Sequence, residues 1–231
     1  MKKKPPIIIL AGGKATRLRP ITIDIPKSMV LVNNKPFLYY QLKQLEKFNF
    51  EKIIISTGYK SHVIEKYIEN KFKKKSISII KDTKFISGTG GAIKNCLKHV
   101  NKDFFVIYGD SYLSINYNII YKKFVKNKKN LLITAFKNNN KYDKSNLFIK
   151  NNKIIEYNKN SKIAQHIDYG VLCINKKVFK SVKKNKFDLK EIIIKQIKNK
   201  NISFFEAKKR FYEIGNKDSL REFKRYAKKK I

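Results

Sequence analysis

Apolar residues follow two alternating patterns along most of this chain. Short runs of β-favouring residues, the first at 7–10 (Ile-Ile-Ile-Leu), predict buried strands. Between these runs lie segments in which apolar positions recur every three or four residues, as in helices that pack by one face. The alternation predicts an α/β fold with a mainly parallel sheet flanked by helices.

The predicted elements change in character near residue 137. Before it we predict strands at 7–10, 52–56, 76–80, 104–108 and 131–136, with helices at 36–48, 63–68, 90–99 and 116–125. After it we predict short strands at 147–150, 154–157, 166–174, 202–206 and 211–214, with helices at 187–197 and 217–228. Asn151-Asn152 predicts a hairpin turn, because Asn tolerates positive φ. We expect one domain, 1–231, with a core at 1–136 and a small β-rich lobe at 137–231.

Composition indicates a folded protein that remains in solution. The chain has 231 residues, of which 42% are hydrophobic and 13% aromatic, enough for one α/β domain with a sizeable core. No apolar run approaches the roughly 18 residues of a membrane span. The basic start, 1–4, is followed by only four large apolar residues, which is too short for a signal peptide. We expect a soluble, cytoplasmic protein with no membrane partner.

The charge raises an alternative function. Lys and Arg number 54 against 17 Asp and Glu, a net charge of +37 that is typical of nucleic-acid-binding proteins. Lysines dominate, however, and they are scattered through nearly every segment without a patch of arginines and aromatic residues. We therefore expect no nucleic-acid partner and keep that function as an alternative. The positive field should still attract anionic substrates.

Cysteines and histidines give no sign of a metal cluster. Cys96 and Cys173 are far apart among apolar neighbours, so we expect buried core thiols. The three histidines are isolated from one another, which is unlike a zinc site.

The segment 7–27 carries the strongest indication of chemistry. Its apolar strand leads into Gly12-Gly13, where missing Cβ atoms let backbone N–H groups approach a phosphate. Positive charge follows at Lys14, Arg17, Arg19 and Lys27. Because α/β folds bind ligands at the carboxyl ends of their strands, the segment predicts a polyphosphate site. It lacks the patterns of the P-loop and of the usual dinucleotide fold.

Residues 10–27 resemble the signature of the sugar-1-phosphate nucleotidyltransferases, L-A-G-G-x-G-T-R-L-x-P-x-T-x-x-x-P-K. Ala15 replaces the glycine that is usual in this family. The resemblance implies a catalytic Arg17 on the departing pyrophosphate and a catalytic Lys27 between the α-phosphate and the incoming phosphate. It also implies a nucleotide-binding role for the loop residues Leu10, Ala11, Gly12, Gly13 and Lys14.

Two later motifs continue the resemblance. The turn Gly88-Thr89-Gly90 corresponds to the family's nucleobase-binding turn; the alternative is a glycine-rich loop with Thr89 as a helix cap. Asp110, in Gly-Asp-Ser after an apolar strand, corresponds to the aspartate that holds Mg²⁺, or else caps a turn. Glu213 stands where a second metal-binding Asp is usual, so we expect it to be the second ligand.

The sugar-phosphate end is implied by looser matches. Lys159 would pair with the sugar phosphate, and Asp168 and the backbone at Gly170 would contact sugar hydroxyls. Tyr108 and Asn146 complete the candidate substrate-binding set. Lys159 and Asp168 have an alternative as an ordinary surface lysine and strand-end aspartate.

The resemblance implies a Rossmann-like α/β core. It also implies an enzyme that condenses a nucleoside triphosphate with a sugar 1-phosphate, giving a nucleotide sugar and pyrophosphate. Mg²⁺-dependent in-line displacement at the α-phosphorus is expected, in the synthesis of precursors for cell-surface glycans. The short chain resembles heptose-1-phosphate guanylyltransferases and small uridylyltransferases more than the long acetyltransferase-fused enzymes. Among these we expect GTP and heptose 1-phosphate as the substrates. Cytidylyl or uridylyl transfer, phosphocholine as acceptor, a non-catalytic nucleotide-binding regulator and a homodimer remain open.

Overall fold

The computed structural model describes residues 3–72 and 76–230. Its strands are β1 (Ile7–Leu10), β2 (Leu31–Val32), β3 (Lys35–Pro36), β4 (Ile53–Thr57), β5 (Ile77–Lys81), β6 (Asp103–Tyr108), β7 (Ser111–Tyr112), β8 (Leu131–Lys137), β9 (Leu147–Lys150), β10 (Lys153–Tyr157), β11 (His166–Asn175), β12 (Ile202–Ala207) and β13 (Tyr212–Glu213). Its α-helices are α1 (Phe37–Glu46), α2 (Ser61–Lys71), α3 (Gly88–Cys96), α4 (Tyr117–Asn127), α5 (Leu189–Lys198) and α6 (Lys217–Lys230). Short 3₁₀ helices occupy Thr16–Leu18, Lys27–Met29, Leu97–His99 and Lys176–Phe179.

The central sheet has the strand order β5-β4-β1-β6-β11-β8-β12. β1 lies between β4 and β6 and runs parallel to both. β11 is antiparallel to β6 and to β8, so it is the one reversed strand along this path. The mainly parallel α/β sheet predicted from the sequence is thereby confirmed.

Alternate side chains of β1 supply the two faces of the sheet. Ile7 and Ile9 pack into one buried cluster with residues of α1, α2 and α4, whereas Ile8 packs into a second with residues of α3 and α5. All three isoleucines are fully buried. A strand that is covered on both faces must be apolar at every position, which is why 7–10 forms an uninterrupted apolar run.

The later residues extend the same sheet and add a hairpin. β9 and β10 pair antiparallel, and the turn residues Asn151 and Asn152 both have positive φ, so the predicted hairpin is confirmed. β9 also joins β11 through a single pairing of Leu147 with His166. The sheet is therefore continuous from the first strand into the later part of the chain.

Some short elements were not predicted. β2 and β3 form a hairpin around Asn33-Asn34, whose φ angles are 46° and 65°. β7, also not predicted, forms a two-stranded ladder outside the main sheet with β13, which lies within the strand predicted at 211–214. The predicted helix at 187–197 begins instead at Leu189, because Asp188 is its N-cap. Two-residue strands carry too few residues for a periodic pattern.

The two cysteines lie in the core of the fold. Cys96 and Cys173 are both buried and free, as expected of core thiols. Within the described residues, no helix has the length and apolar character required to cross a bilayer.

Candidate active site

A cavity of about 710 Å³ opens at the carboxyl ends of β1, β4 and β6. That volume lies within the usual range of small-molecule sites. Two glycine-containing turns form its walls, the first after β1 and the second at the start of α3. Predicted site residues on these walls are Leu10, Ala11, Gly12, Gly13, Lys14, Lys27, Gly88, Thr89, Tyr108 and Asp110.

Two glycines shape the first wall in different ways. At Gly109 a Cβ would lie 2.5 Å from the Leu10 carbonyl oxygen, so the close approach of the β6 end to β1 requires glycine. At Gly13 a Cβ would have no neighbour within 4 Å. The fold itself therefore does not require glycine at position 13, and the open space lies beside the cavity.

The loop that follows is held by Ala15. This residue adopts a left-handed conformation with φ 50° and ψ 48°, which glycine reaches at lower cost. Its carbonyl accepts hydrogen bonds from the Thr22 hydroxyl at 2.8 Å and the Leu18 backbone N–H at 3.0 Å. Thr22 is fully buried. These two bonds stabilise the strained residue and fix the path of the loop.

Lys27 and Asp110 meet at the cavity wall. The Lys27 Nζ lies 2.6 Å from Asp110 Oδ2, and the side chains are 14% and 33% exposed. Ser111 Oγ donates to the other carboxylate oxygen at 3.2 Å. This cation and this anion come from segments 83 residues apart and share one side of the cavity.

The turn that carries Asp110 is fixed by Gln41 of α1. The Gln41 Nε2 donates to the carbonyl oxygens of Tyr108 at 2.8 Å and Ser111 at 2.9 Å. Gln41 is buried, so these bonds are shielded from water. The Ile214 N–H donates to the Asp110 carbonyl at 3.0 Å from the opposite side. The turn is therefore held between α1 and β13.

Asp110 and Glu213 are the two carboxylates that the sequence predicts as ligands of a divalent metal. Glu213 pairs in the β7–β13 ladder with Ser111, the residue after Asp110, but it does not line the cavity. Its carboxylate is folded against Gly215, where a Cβ would collide with it. No group of three or more His, Cys, Asp or Glu side chains that could hold a metal occurs within 3–72 and 76–230. Mg²⁺ is commonly held by one or two carboxylates together with phosphate and water oxygens, and the Asp110 carboxylate at the cavity wall is of this type.

The second glycine turn packs against a later part of the chain. Gly88 has φ +77°, and Cβ atoms at Gly88 and Gly90 would both collide with Phe187. The Thr89 hydroxyl accepts from the Leu189 N–H at 2.9 Å, and Asp188 Oδ1 accepts from the Thr89 N–H at 3.3 Å. Thus packing explains the glycines, while Gly88 and Thr89 still face the cavity and Gly90 does not.

Asp168 lies at the centre of a hydrogen-bonded cluster beyond Tyr108. Its Oδ2 accepts from the hydroxyls of Tyr108 and Tyr157, both at 3.1 Å. Its Oδ1 accepts from the Gly170 N–H at 2.8 Å, and the Asp168 N–H donates to Asn146 Oδ1 at 2.9 Å. Burial raises the pKa of Asp168 and places the pKa of Tyr108 well above its ordinary value. Asp168 is thus already hydrogen-bonded to protein groups through both oxygens.

Other predicted residues lie outside the cavity wall. Arg17 is exposed in the 3₁₀ helix after the glycine loop, and Lys159 is exposed near Asp168. Gly170 has φ +87° at an irregular stretch of β11, next to the ring of Tyr108. Sequence reasoning did not identify four further residues, namely Gln41, Asp82, Tyr157 and Asp188. Of these, Asp82 and Asp188 line the cavity.

Comparisons with known proteins find similarity to nucleotidyltransferases along nearly the whole chain. The Nucleotidyl transferase family model matches residues 7–230. A D-glycero-alpha-D-manno-heptose 1-phosphate guanylyltransferase of Aneurinibacillus thermoaerophilus is 29% identical over 93% of this chain and 95% of that relative. The Campylobacter jejuni protein of the same name is 41% identical over 47% of this chain and 49% of its own length. The crystal structure of HddC from Yersinia pseudotuberculosis complexed with GMP-PN has a TM-score of 0.78 at 28% identity, covering 97% of this chain and 100% of that one.

Proposed function

The chain belongs to the nucleotidyl transferase family and is a sugar-1-phosphate nucleotidyltransferase, and from this premise we propose that it joins GTP to a heptose 1-phosphate. The products would be a GDP-heptose and pyrophosphate. The observation that carries this choice is the similarity, over nearly the whole chain, to a heptose 1-phosphate guanylyltransferase. The similarity to a structure that holds GMP-PN supports the choice of base.

In the proposed reaction, an oxygen of the sugar 1-phosphate attacks the α-phosphorus of GTP. The bond from that phosphorus to the oxygen bridging the α- and β-phosphates breaks, and pyrophosphate leaves with the electron pair. Both reactants carry negative charge, so the enzyme must hold two anions together in line. Most of the rate acceleration should therefore come from positioning and from stabilisation of charge.

The chain offers groups for each part of this task. Backbone N–H groups of 11–14 would bind the triphosphate in the open space beside Gly13. The Lys27 ammonium, held by Asp110 at the cavity wall, would bridge the α-phosphate and the incoming phosphate. Arg17 extends from the exposed end of the loop and would reach the departing pyrophosphate.

The sugar phosphate would bind between the cavity and the Asp168 cluster. Lys159 would pair with its phosphate, and Tyr108 separates the two regions. Asp168 Oδ1 accepts one hydrogen bond, from the Gly170 N–H, so it keeps a lone pair for a sugar hydroxyl. The phenolic oxygens of Tyr108 and Tyr157, which donate to Asp168 Oδ2, could accept from further hydroxyls.

Members of this family generally use a divalent metal. For this chain we propose Mg²⁺, held by Asp110 and Glu213, which would neutralise charge on the triphosphate. Gln41 would keep Asp110 in place through its bonds to the carbonyls on either side of the turn.

A matrix assay tests the proposal. GTP, ATP, CTP, UTP and dTTP would each be combined with heptose 1-phosphate, mannose 1-phosphate, glucose 1-phosphate and phosphocholine, with Mg²⁺, and pyrophosphate release recorded. We expect the highest kcat/KM for GTP with heptose 1-phosphate. A higher value with CTP or UTP would contradict the base, and a higher value with another acceptor would contradict the sugar.

A further inference from the structure

Two carboxylates besides Asp110 line the cavity, and only one is explained by the fold. Asp188 accepts from the Thr89 N–H at 3.3 Å and forms a capping box with Glu191. It therefore stabilises the starts of both α3 and α5. Asp82 has no comparable structural task.

Asp82 is held rigidly, but its carboxylate is not saturated. Its backbone N–H donates to the Thr57 carbonyl at 2.7 Å, which fixes it at the end of β5. The Asn95 amide reaches Asp82 Oδ1 only at 3.5 Å, and the Ser56 hydroxyl also lies close enough to oppose the rise in the pKa of Asp82. The second oxygen, Oδ2, lies 3.4 Å from the position that a Cβ on Gly12 would occupy. This oxygen therefore faces the glycine loop across one end of the cavity.

Burial, without a cation beside it, defines the environment of Asp82 among the described residues. Among residues 3–72 and 76–230, no lysine or arginine forms an ion pair with it, and its neighbour Lys81 pairs with Glu65 at 2.9 Å instead. Burial raises the pKa of Asp82. A half-buried carboxylate in this state would be stabilised by a ligand that brings N–H donors.

Guanine matches that requirement better than the other bases. Its Watson–Crick edge places the N1–H and the 2-amino group side by side, so two donors can meet two carboxylate oxygens. Adenine and cytosine place a ring-nitrogen acceptor beside their amino group, and uracil places carbonyl oxygens on both sides of one N–H. We propose that Asp82 selects guanine by accepting hydrogen bonds from N1–H and the 2-amino group. This inference rests on the proposed guanylyl transfer.

The test changes the hydrogen-bond donors and acceptors of the base, and separately those of the side chain at position 82. Inosine lacks the 2-amino group, and xanthine has a carbonyl oxygen in its place. For the unmodified enzyme we expect kcat/KM for GTP to exceed that for ITP by about 10- to 150-fold, the range for a hydrogen bond to a charged group. In Asp82→Asn we expect a similar fall with GTP and a preference for XTP over GTP, because an amide can accept from N1–H and donate to the xanthine oxygen.

Asp188→Asn is the matched control, because it removes a carboxylate from the same cavity. Its GTP-over-XTP preference should remain that of the unmodified enzyme. If Asp82→Asn keeps that preference while the unmodified enzyme uses GTP, the role of Asp82 is overturned and guanylyl transfer stands. If the unmodified enzyme prefers another triphosphate to GTP, both proposals fail. Should the variant not fold, equal kcat/KM for GTP and ITP in the unmodified enzyme would overturn the inference.

Discussion

Gly13→Ala should weaken nucleotide binding without destabilising the fold. A Cβ at this position meets nothing within 4 Å, and the backbone lies outside the left-handed region. Alanine should therefore leave the fold intact and raise the free energy of unfolding by about 0.4–1 kcal/mol through a less flexible unfolded chain. The methyl group would, however, occupy space that we assign to the triphosphate. Losing one charge-assisted backbone bond of about 1.5–3 kcal/mol would raise the KM for GTP by about 10- to 150-fold.

Two measurements decide this prediction. Pyrophosphate release at varied GTP and saturating sugar 1-phosphate gives KM, and denaturant unfolding gives stability. Gly109→Ala is the contrasting variant, because its Cβ would lie 2.5 Å from the Leu10 carbonyl oxygen and should destabilise the protein by about 1–3 kcal/mol. If Gly13→Ala keeps the unmodified KM for GTP, the triphosphate does not lie against this loop and the reasoning is refuted.

Three further predictions follow from the site. Lys27→Met should lower kcat for pyrophosphate release by about 10²–10³-fold, because the phosphates lose a cation at the cavity wall. Lys126→Met, at an exposed lysine, is the control and should leave kcat unchanged; equal effects of the two substitutions would exclude a specific role for Lys27. Gln41→Leu should lower the free energy of unfolding by about 1–3 kcal/mol and also reduce turnover, because two carbonyls beside Asp110 lose their donor. Unchanged turnover, measured under conditions in which both proteins are fully folded, would contradict the role of Gln41 in positioning Asp110. The pKa of Asp168 is raised above its ordinary 3.8 in the folded state, so the free energy of unfolding should fall as pH rises from 3.8 to the folded-state pKa. Asp168→Asn should flatten this pH dependence in denaturant unfolding, and an unchanged slope would contradict the prediction.

Local patterns predicted the main elements because each is encoded by its own residues. The apolar run of β1 and the glycines after it required no knowledge of distant contacts. The Asn33-Asn34 hairpin could have been predicted from the same signal as Asn151-Asn152. Asp188 and Glu191 likewise form a D-x-x-E pattern ahead of an apolar run, which marks the true start of α5.

The remainder of the site depends on contacts between distant segments. Gln41 is a single polar residue on the buried face of α1, four residues after Phe37 and four before Leu45, and only the fold shows which carbonyls it reaches. The hydroxyls that occupy Asp168 come from Tyr108 and Tyr157, on two other strands. Sequence could propose Asp168 as a sugar contact, but it could not reveal that protein groups already use both of its oxygens.

The contact between Thr89 and Asp188 joins residues 99 positions apart. During synthesis on a ribosome, the turn at 88–91 would therefore emerge long before the segment that supports it. A fragment ending at 136 would contain every residue of the first glycine loop, yet its second turn would lack the backbone of 185–188 against which Gly88 and Gly91 pack. Nucleotide affinity should consequently be a property of the finished polypeptide and not of its amino-terminal half.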